Sequence, residues 1–399
     1  MDGRASWIRL GILVFAAAVG GVAMWSVVVT LPAVQQDFGT ARAGASLPYT
    51  LTMLGYAIGG VGVGRLSDRF GMAWTTAAGA IALGLGYILA SLSTSFVVYT
   101  VLHFLLCGTL GGAAFFSPLM AEASRWFLRH RGVAVTLAAA GNYIGGAIWP
   151  PLTQALVGTV GWRGAEMTIG ILCIVLLLPL ALLLRARPPL PGPAMVAHRA
   201  TTSLDLAPRT LQLILAVAGI GCCVAMAMPQ VHIVAYCGDL GYGPAQGADM
   251  LSMMLALGIV SRVGSGFVAD RIGGIATLLI GSGIQAVCLS LYLQFTSLPS
   301  LYVIAALFGL FQGGIVPSYA IIAREYFPAR EAGARVGAVI GATICGMALG
   351  GWLSGAIYDL SGSYRLAFFN GLAFNLLNLA LIGFLFLRSR GGARVRALA

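Results

Sequence analysis

The chain has 399 residues, 59% of them hydrophobic and 9% charged, with 55 glycines and a formal net charge of +11. That leaves too little polar surface for a soluble globule of this size and places the chain in a membrane. All 23 basic residues are arginine, gathered at the ends of apolar segments, so the positive balance reads as a topology signal and argues against a nucleic-acid partner.

Twelve apolar segments, each about 20 residues and long enough for roughly 30 Å of hydrocarbon, run 10–34, 45–64, 73–92, 97–121, 132–157, 165–184, 211–236, 246–268, 275–295, 300–323, 334–357 and 366–387. The first is too long for a cleaved signal, lacks a small-residue cleavage site and is followed by eleven more, so it counts as a span. With the N-terminus in the cytoplasm, 19 arginines fall inside, Arg42, Arg163 and Arg365 fall outside, and Arg262 lies within the membrane. This division predicts a multi-pass protein of the inner (plasma) membrane with both termini cytoplasmic. The tail Arg388 to Arg396 orients the last span and can meet anionic membrane lipid. Seven cysteines, mostly inside spans and without ligand spacing, read as packing residues, so neither a disulfide framework nor a metal nor a cofactor is expected.

The chain repeats itself at an offset of about 200 residues. Gly64-Arg65-Leu66-Ser67-Asp68-Arg69-Phe70-Gly71 returns as Gly266-Phe267-Val268-Ala269-Asp270-Arg271-Ile272-Gly273, Gly111-Gly112 as Gly313-Gly314, Trp126-Phe127 as Tyr326-Phe327, and Trp162-Arg163 as Tyr364-Arg365. The prediction is an all-α membrane protein of twelve helices in two pseudo-symmetric six-helix bundles: 1–184, a cytoplasmic linker over 185–210 rich in proline, and 211–399 with a basic tail. Each glycine-bounded string forms a short turn in which glycine permits tight turning and close helix approach. Asp68 and Asp270 can cap a helix or pair with an arginine across the interface between halves. Two copies favour a conformational latch made of Gly64, Asp68, Arg69, Gly71, Gly266, Asp270, Arg271 and Gly273 over simple turn-capping.

With Gly64, Leu66, Asp68, Arg69 and Gly71 in place after the second span, the chain resembles the major facilitator superfamily of secondary transporters over almost its whole length. Within it the chain is most similar to the monocarboxylate transporters and the oxalate/formate exchangers. That similarity rests on Trp126-Phe127-Leu128-Arg129-His130-Arg131-Gly132-Val133-Ala134 running to Ala140-Gly141, on Pro229-Gln230-Val231-His232, on Asp239-Leu240-Gly241, and on Arg262 four residues before Gly266. The resemblance implies that Arg262 binds the substrate carboxylate. It also implies an acid one turn before that arginine, a lysine in the first span and, for the oxalate exchangers, a basic residue in the eleventh, all missing here: Gly258 stands one turn before Arg262, no lysine exists in the first span, and 336–357 carries no charge.

The residues themselves support the same role. Arg262 is a lone guanidinium in the otherwise apolar or small Met250 to Ala269, about 12 Å from the helix end at Asp270, and its planar fork fits a carboxylate. The bland alternative is a structural arginine bonded to carbonyls of a neighbouring helix. Gly258 and Gly266, one turn either side, are expected to let a small ligand approach. His103, His232, Gln312, Asn142 and Trp25 are further substrate-binding candidates, each of which could equally be an interhelical contact. For proton coupling the candidates are Asp249 and His232, whereas Glu166 and Asp239 are expected to be solvated near the outer surface.

These residues point to a secondary active transporter of a small organic monocarboxylate, proton-coupled, working by alternating access and functional as a monomer. The alternatives are an organic-anion exchanger and a drug or metabolite exporter of the same fold; a cavity whose charge is positive speaks against cationic drugs. No Ser/His/Asp set, metal cluster or nucleotide loop suggests an enzyme.

Overall fold

In hydrocarbon a backbone must satisfy its own hydrogen bonds, and every regular element among the described residues is helical. The computed structural model describes residues 3–127, 130–186, 204 and 206–397. The proline-rich part of the predicted linker and Leu128-Arg129 of the basic block lie outside the described residues.

Helix α1 runs Arg4–Phe38 with a one-residue interruption at Gly21. It is followed by α2 (Arg42–Phe70), α3 (Met72–Leu92) and α4 (Phe96–Trp126). The next helical run, Arg131–Leu183, has a non-helical break at Gly161 (φ 72°, ψ 170°) that separates α5 from α6. Then come α7 (Pro208–Asp239), α8 (Pro244–Ile272), α9 (Gly274–Gln294), α10 (Leu298–Tyr326), α11 (Ala329–Ser361) and α12 (Tyr364–Ala397). Among the described residues ten segments are long and apolar enough to cross a membrane. One of these is the α5–α6 run, which supplies two spans, and α2 completes the twelve. The helices outrun the apolar segments seen in the sequence: α2 continues from the end of its apolar run through Arg65, Asp68 and Arg69 to Phe70. Helical hydrogen bonding does not stop where hydrocarbon does, while hydropathy records only the apolar stretch.

α4 and α10 are broken at equivalent points of the repeat. α4 leaves the α-form at His103, forms a π-helix over His103–Gly111 and a 3-10 turn over Gly112–Phe115, and resumes at Ser117. α10 stops at Gln312 and restarts at Ile315 across Gly313 and Gly314. The repeat also shows in the turns, since Gly71 (φ 86°, ψ 164°) and Gly273 (φ 83°, ψ 163°) adopt one conformation, in a region open essentially to glycine alone. Gly64 and Gly266 are different, with open space where a Cβ would stand, so close helix approach is not their role.

By packing, the described residues fall into two compact units. The first contains those of Met1–Gly192 and Gln230–Ala256, the second those of Pro193–Pro229 and Leu257–Ala399. Inside the first unit the buried Arg9 donates from Nε and Nη2 to Glu122 Oε1 at 3.1 and 2.6 Å and from Nη2 to the Leu184 carbonyl at 3.1 Å. Trp126 Nε1 donates to the same carboxylate oxygen at 2.8 Å, and its ring lies 4.3 Å under the Arg9 guanidinium. The pair thus ties α1, α4 and the end of α6 together. The second unit is held by neutral groups: Tyr319 donates to Asn378 at 2.6 Å, Asn378 to Ser282 Oγ at 2.9 Å, and Asn375 to the Ser282 carbonyl at 2.8 Å.

Glu122→Gln leaves the Arg9 charge buried without its partner and should destabilise the protein by about 3–5 kcal/mol. The double change Arg9→Met with Glu122→Leu should recover most of that loss. Thermal unfolding of the purified protein in detergent checks both, and a Glu122→Gln midpoint equal to wild type would contradict the assignment.

Candidate functional site

The second unit places Arg262 against the break in α10. Arg262 is buried, 8% exposed, and its Nε donates to the Gly313 carbonyl at 3.4 Å. The half-helix Leu298–Gln312 ends there, so its last carbonyls lack intrahelical partners and carry the negative end of the helix dipole. A guanidinium beside that end meets oriented carbonyl oxygen. Gln312, the last residue of the half-helix, is buried beside it in sequence.

Glycine brings the two helices together. A Cβ on Gly313 would collide with the Gly258 carbonyl of α8, and one on Gly314 with the Ser265 side chain. Gly258 therefore serves the contact with α10, which corrects the expectation that it opens an approach to the guanidinium. At the other flanking glycine, Gly266, the space is open.

The remaining predicted residues lie in the first unit. Trp25 is buried and its Nε1 donates to the Asn142 carbonyl at 3.2 Å, joining α1 to α5; Asn142 is buried too. His103 opens the π-helical stretch of α4, fully buried, with Nδ1 3.1 Å from the Tyr99 carbonyl. A carbonyl only accepts, so Nδ1 carries a proton, while Nε2 meets no hydrogen-bond partner. His232 is fully buried on α7, while Asp249 is exposed near the start of α8. Ser252 on α8 donates to the Ala147 carbonyl of α5, and Arg42 pairs with Asp239 at 3.1 Å, both within this unit.

The latch residues also resolve. Asp68 pairs with Arg125 of α4 inside the first unit, where a partner across the halves was expected. The pair lies on a cleft of about 720 Å³ whose lining includes Arg9, Arg69, Glu122 and Arg185. In the second copy the position equivalent to Arg125 is Glu325, which accepts a hydrogen bond from the Gly274 amide at 3.1 Å and so caps α9. Among the described residues Asp270 has no ion-pair partner. The duplicated turn therefore keeps its backbone and changes its electrostatics.

Glu166 overturns an expectation outright. Instead of being solvated it is fully buried on α6, accepting the Tyr99 hydroxyl at 2.7 Å. The signal that could have found it is its place five residues beyond Gly161, inside an apolar run, rather than in the turn itself.

A helical multi-pass fold of twelve spans, with two internally repeated halves and broken helices at equivalent points, is an architecture that many secondary transporters share. The chain matches the family model described as Major Facilitator Superfamily over residues 13–293 and 213–397. Monocarboxylate transporter 13 of Bos taurus is 31% identical over 340 residues, covering 83% of this chain and 77% of that protein. The Agnestins efflux protein AgnL12 of Paecilomyces divaricatus is 25% identical over 314 residues, 77% of this chain and 70% of that protein. Among solved structures, a bacterial homolog of the human lysosomal transporter Spinster in an inward-facing, occupied conformation matches with a TM-score of 0.73 at 13% identity, over 98% of each chain. The chain belongs to the major facilitator superfamily; it is a transporter and not an enzyme.

Because a methyl group at Gly313 meets backbone, Gly313→Ala should push α10 away from α8 and cost about 1–3 kcal/mol. Gly264→Ala, on α8 with open space at its Cβ, should be neutral or stabilising by up to about 1 kcal/mol. Comparing the unfolding midpoints of the two variants tests the tight contact, and equal midpoints would contradict it.

Proposed function

We propose that the protein is a secondary active transporter of a small organic monocarboxylate, coupled to protons and working by alternating access, with Arg262 as the anchor of the carboxylate. The observation that carries this reading is a buried guanidinium at the broken point of α10. Discontinuous helices at mid-depth are where transporters of many folds hold ions and anionic groups, and an ionisable residue at that depth is functional by default. The similarity to a protein named a monocarboxylate transporter supports the substrate class. Gln312 on the same unit, with Trp25, Asn142, His103 and His232, is assigned supporting hydrogen bonds, and His232 and Asp249 are the outer-end groups proposed to sense the proton. The arginine distribution supports a plasma-membrane protein with both termini in the cytoplasm.

Efflux is the second reading, favoured by the name of the relative from Paecilomyces divaricatus. It reverses the direction of net movement and leaves the role of Arg262 unchanged.

The test uses purified protein in liposomes and a panel of acetate, lactate, pyruvate, oxalate and benzoate, with external pH lowered to drive uptake. Wild type should accumulate at least one monocarboxylate saturably. Arg262→Ala should lose about two orders of magnitude in kcat/KM, the size of removing one partner of a buried, hydrogen-bonded charge pair, while inserting normally. Arg262→Lys should retain part of the activity at raised KM, because a point charge replaces a planar fork. Normal saturable uptake by Arg262→Ala would refute the assignment.

A further inference from the structure

Resting on the proton-coupled reading above, we infer that Glu166, bonded to Tyr99 and flanked by His103 in the interior of the first unit, is a proton-binding site of this transporter. The ligand is the proton itself: the carboxylate takes it up as –COOH and releases it again, with no other bond changed.

The geometry is that of a built site. Glu166 is fully buried, and its Oε1 accepts the Tyr99 hydroxyl at 2.7 Å, while Oε2 has no hydrogen-bond partner. His103 is fully buried on the same side of α4, its ring centroid 4.4 Å from that of Tyr99, with Nε2 likewise without a partner. One tyrosine thus joins a carboxyl oxygen lacking a donor to an imidazole nitrogen lacking one. Both atoms have room for a proton that nothing else in the described structure supplies. A carboxyl in this place costs far more to bury than the amide or methyl groups that could fill the same volume, and packing alone gives no reason for it.

The surrounding groups leave the site's charge to the proton. From α6, Arg163 is the nearest fixed charge in sequence, but it is committed elsewhere: Nη2 donates to Asp37 of α1 at 2.8 Å and Nη1 to the Ser91 and Ser93 carbonyls at 3.0 and 2.5 Å. α4 adds Cys107, α3 adds Tyr87, and α6 adds Cys173, all buried and none carrying a fixed charge. Tyr87 is itself bonded to Ser26 of α1 at 2.5 Å, and its ring stands edge-on to His103 at 5.7 Å. A layer made of Phe38, Phe96, Tyr99 and Trp162, with centroids 5.6–6.5 Å apart, packs against the site and excludes water on that side.

A proton site that serves a transport cycle also needs an element that can change. The π-helix of α4 begins at His103, where each turn holds an extra residue and the helix is held less well than the α-form; such segments recur at functional places. Rewinding even one turn there would rotate His103 relative to Tyr99. The chain contains no lysine, and position 258, one turn before Arg262, is glycine. The buried Glu166 supplies a carboxyl that this position lacks.

Glu166→Gln is the test, because its amide carbonyl still accepts the Tyr99 hydroxyl and the fold should hold, as size-exclusion elution and unfolding midpoint will show. Infrared difference spectra of purified full-length protein are recorded between about pH 5 and pH 9. Wild type should show a carboxyl band that interconverts reversibly with carboxylate and is missing in Glu166→Gln, while Asp249→Asn retains it. A band absent throughout, or present and unchanged across the range, would overturn the proposal. In liposomes, uptake of the panel acids by Glu166→Gln should lose its dependence on the pH gradient, while exchange of acid for acid persists. If wild type carries the acids with protons and Glu166→Gln does so equally, the site fails and the transport reading stands. If the band titrates as expected but wild type carries none of the acids, the transport reading fails and the proton site survives.

Discussion

Hydrocarbon offers a charged or polar group nothing to bond to, so each such group in this protein has to be answered by another part of the chain. That constraint explains why the informative residues are few and why they gather at helix breaks. Arg262 sits where α10 stops, because a half-helix end supplies the carbonyl oxygen that lipid cannot. Arg9 is answered by a carboxylate, an indole and a carbonyl at once. Glu166 is answered on one oxygen only, a shortfall that costs more for a carboxyl than for the neutral hydroxyls buried in the same unit.

The duplication supplied one scaffold and left its two copies free to diverge. Gly71 and Gly273 keep one backbone conformation because no other residue type tolerates it. Their electrostatic surroundings differ: Arg125 beside Asp68 in the first copy, Glu325 capping α9 in the second. The interior chemistry diverges in the same way. The first unit contains a buried acid beside a π-helical stretch, and the second a buried base beside a glycine break. A carrier that moves an anion together with a proton needs one group of each kind, and separate copies can evolve them separately.

Family membership leaves the cargo open. Relatives named for monocarboxylates and for efflux share this fold at similar identity, as expected when function resides in a few side chains set on a common framework.

The sequence by itself determined the twelve spans, the duplicated turn and the unusual placement of Arg262, because hydropathy, an internal repeat and a charge inside an apolar segment are local or periodic signals that survive without coordinates. It could not tell that Gly258 is occupied by α10, that Asp68 bonds within its own unit, that Trp25 and Asn142 meet each other, or that Glu166 is buried. Each of those depends on which neighbouring helix lies alongside and on the rotation of its face, and both are set by side-chain packing between segments far apart in the chain. The breaks in α4 and α10 were also hidden, since Gly-Gly pairs mark many helix contacts here and only the packed structure decides which pair ends a helix.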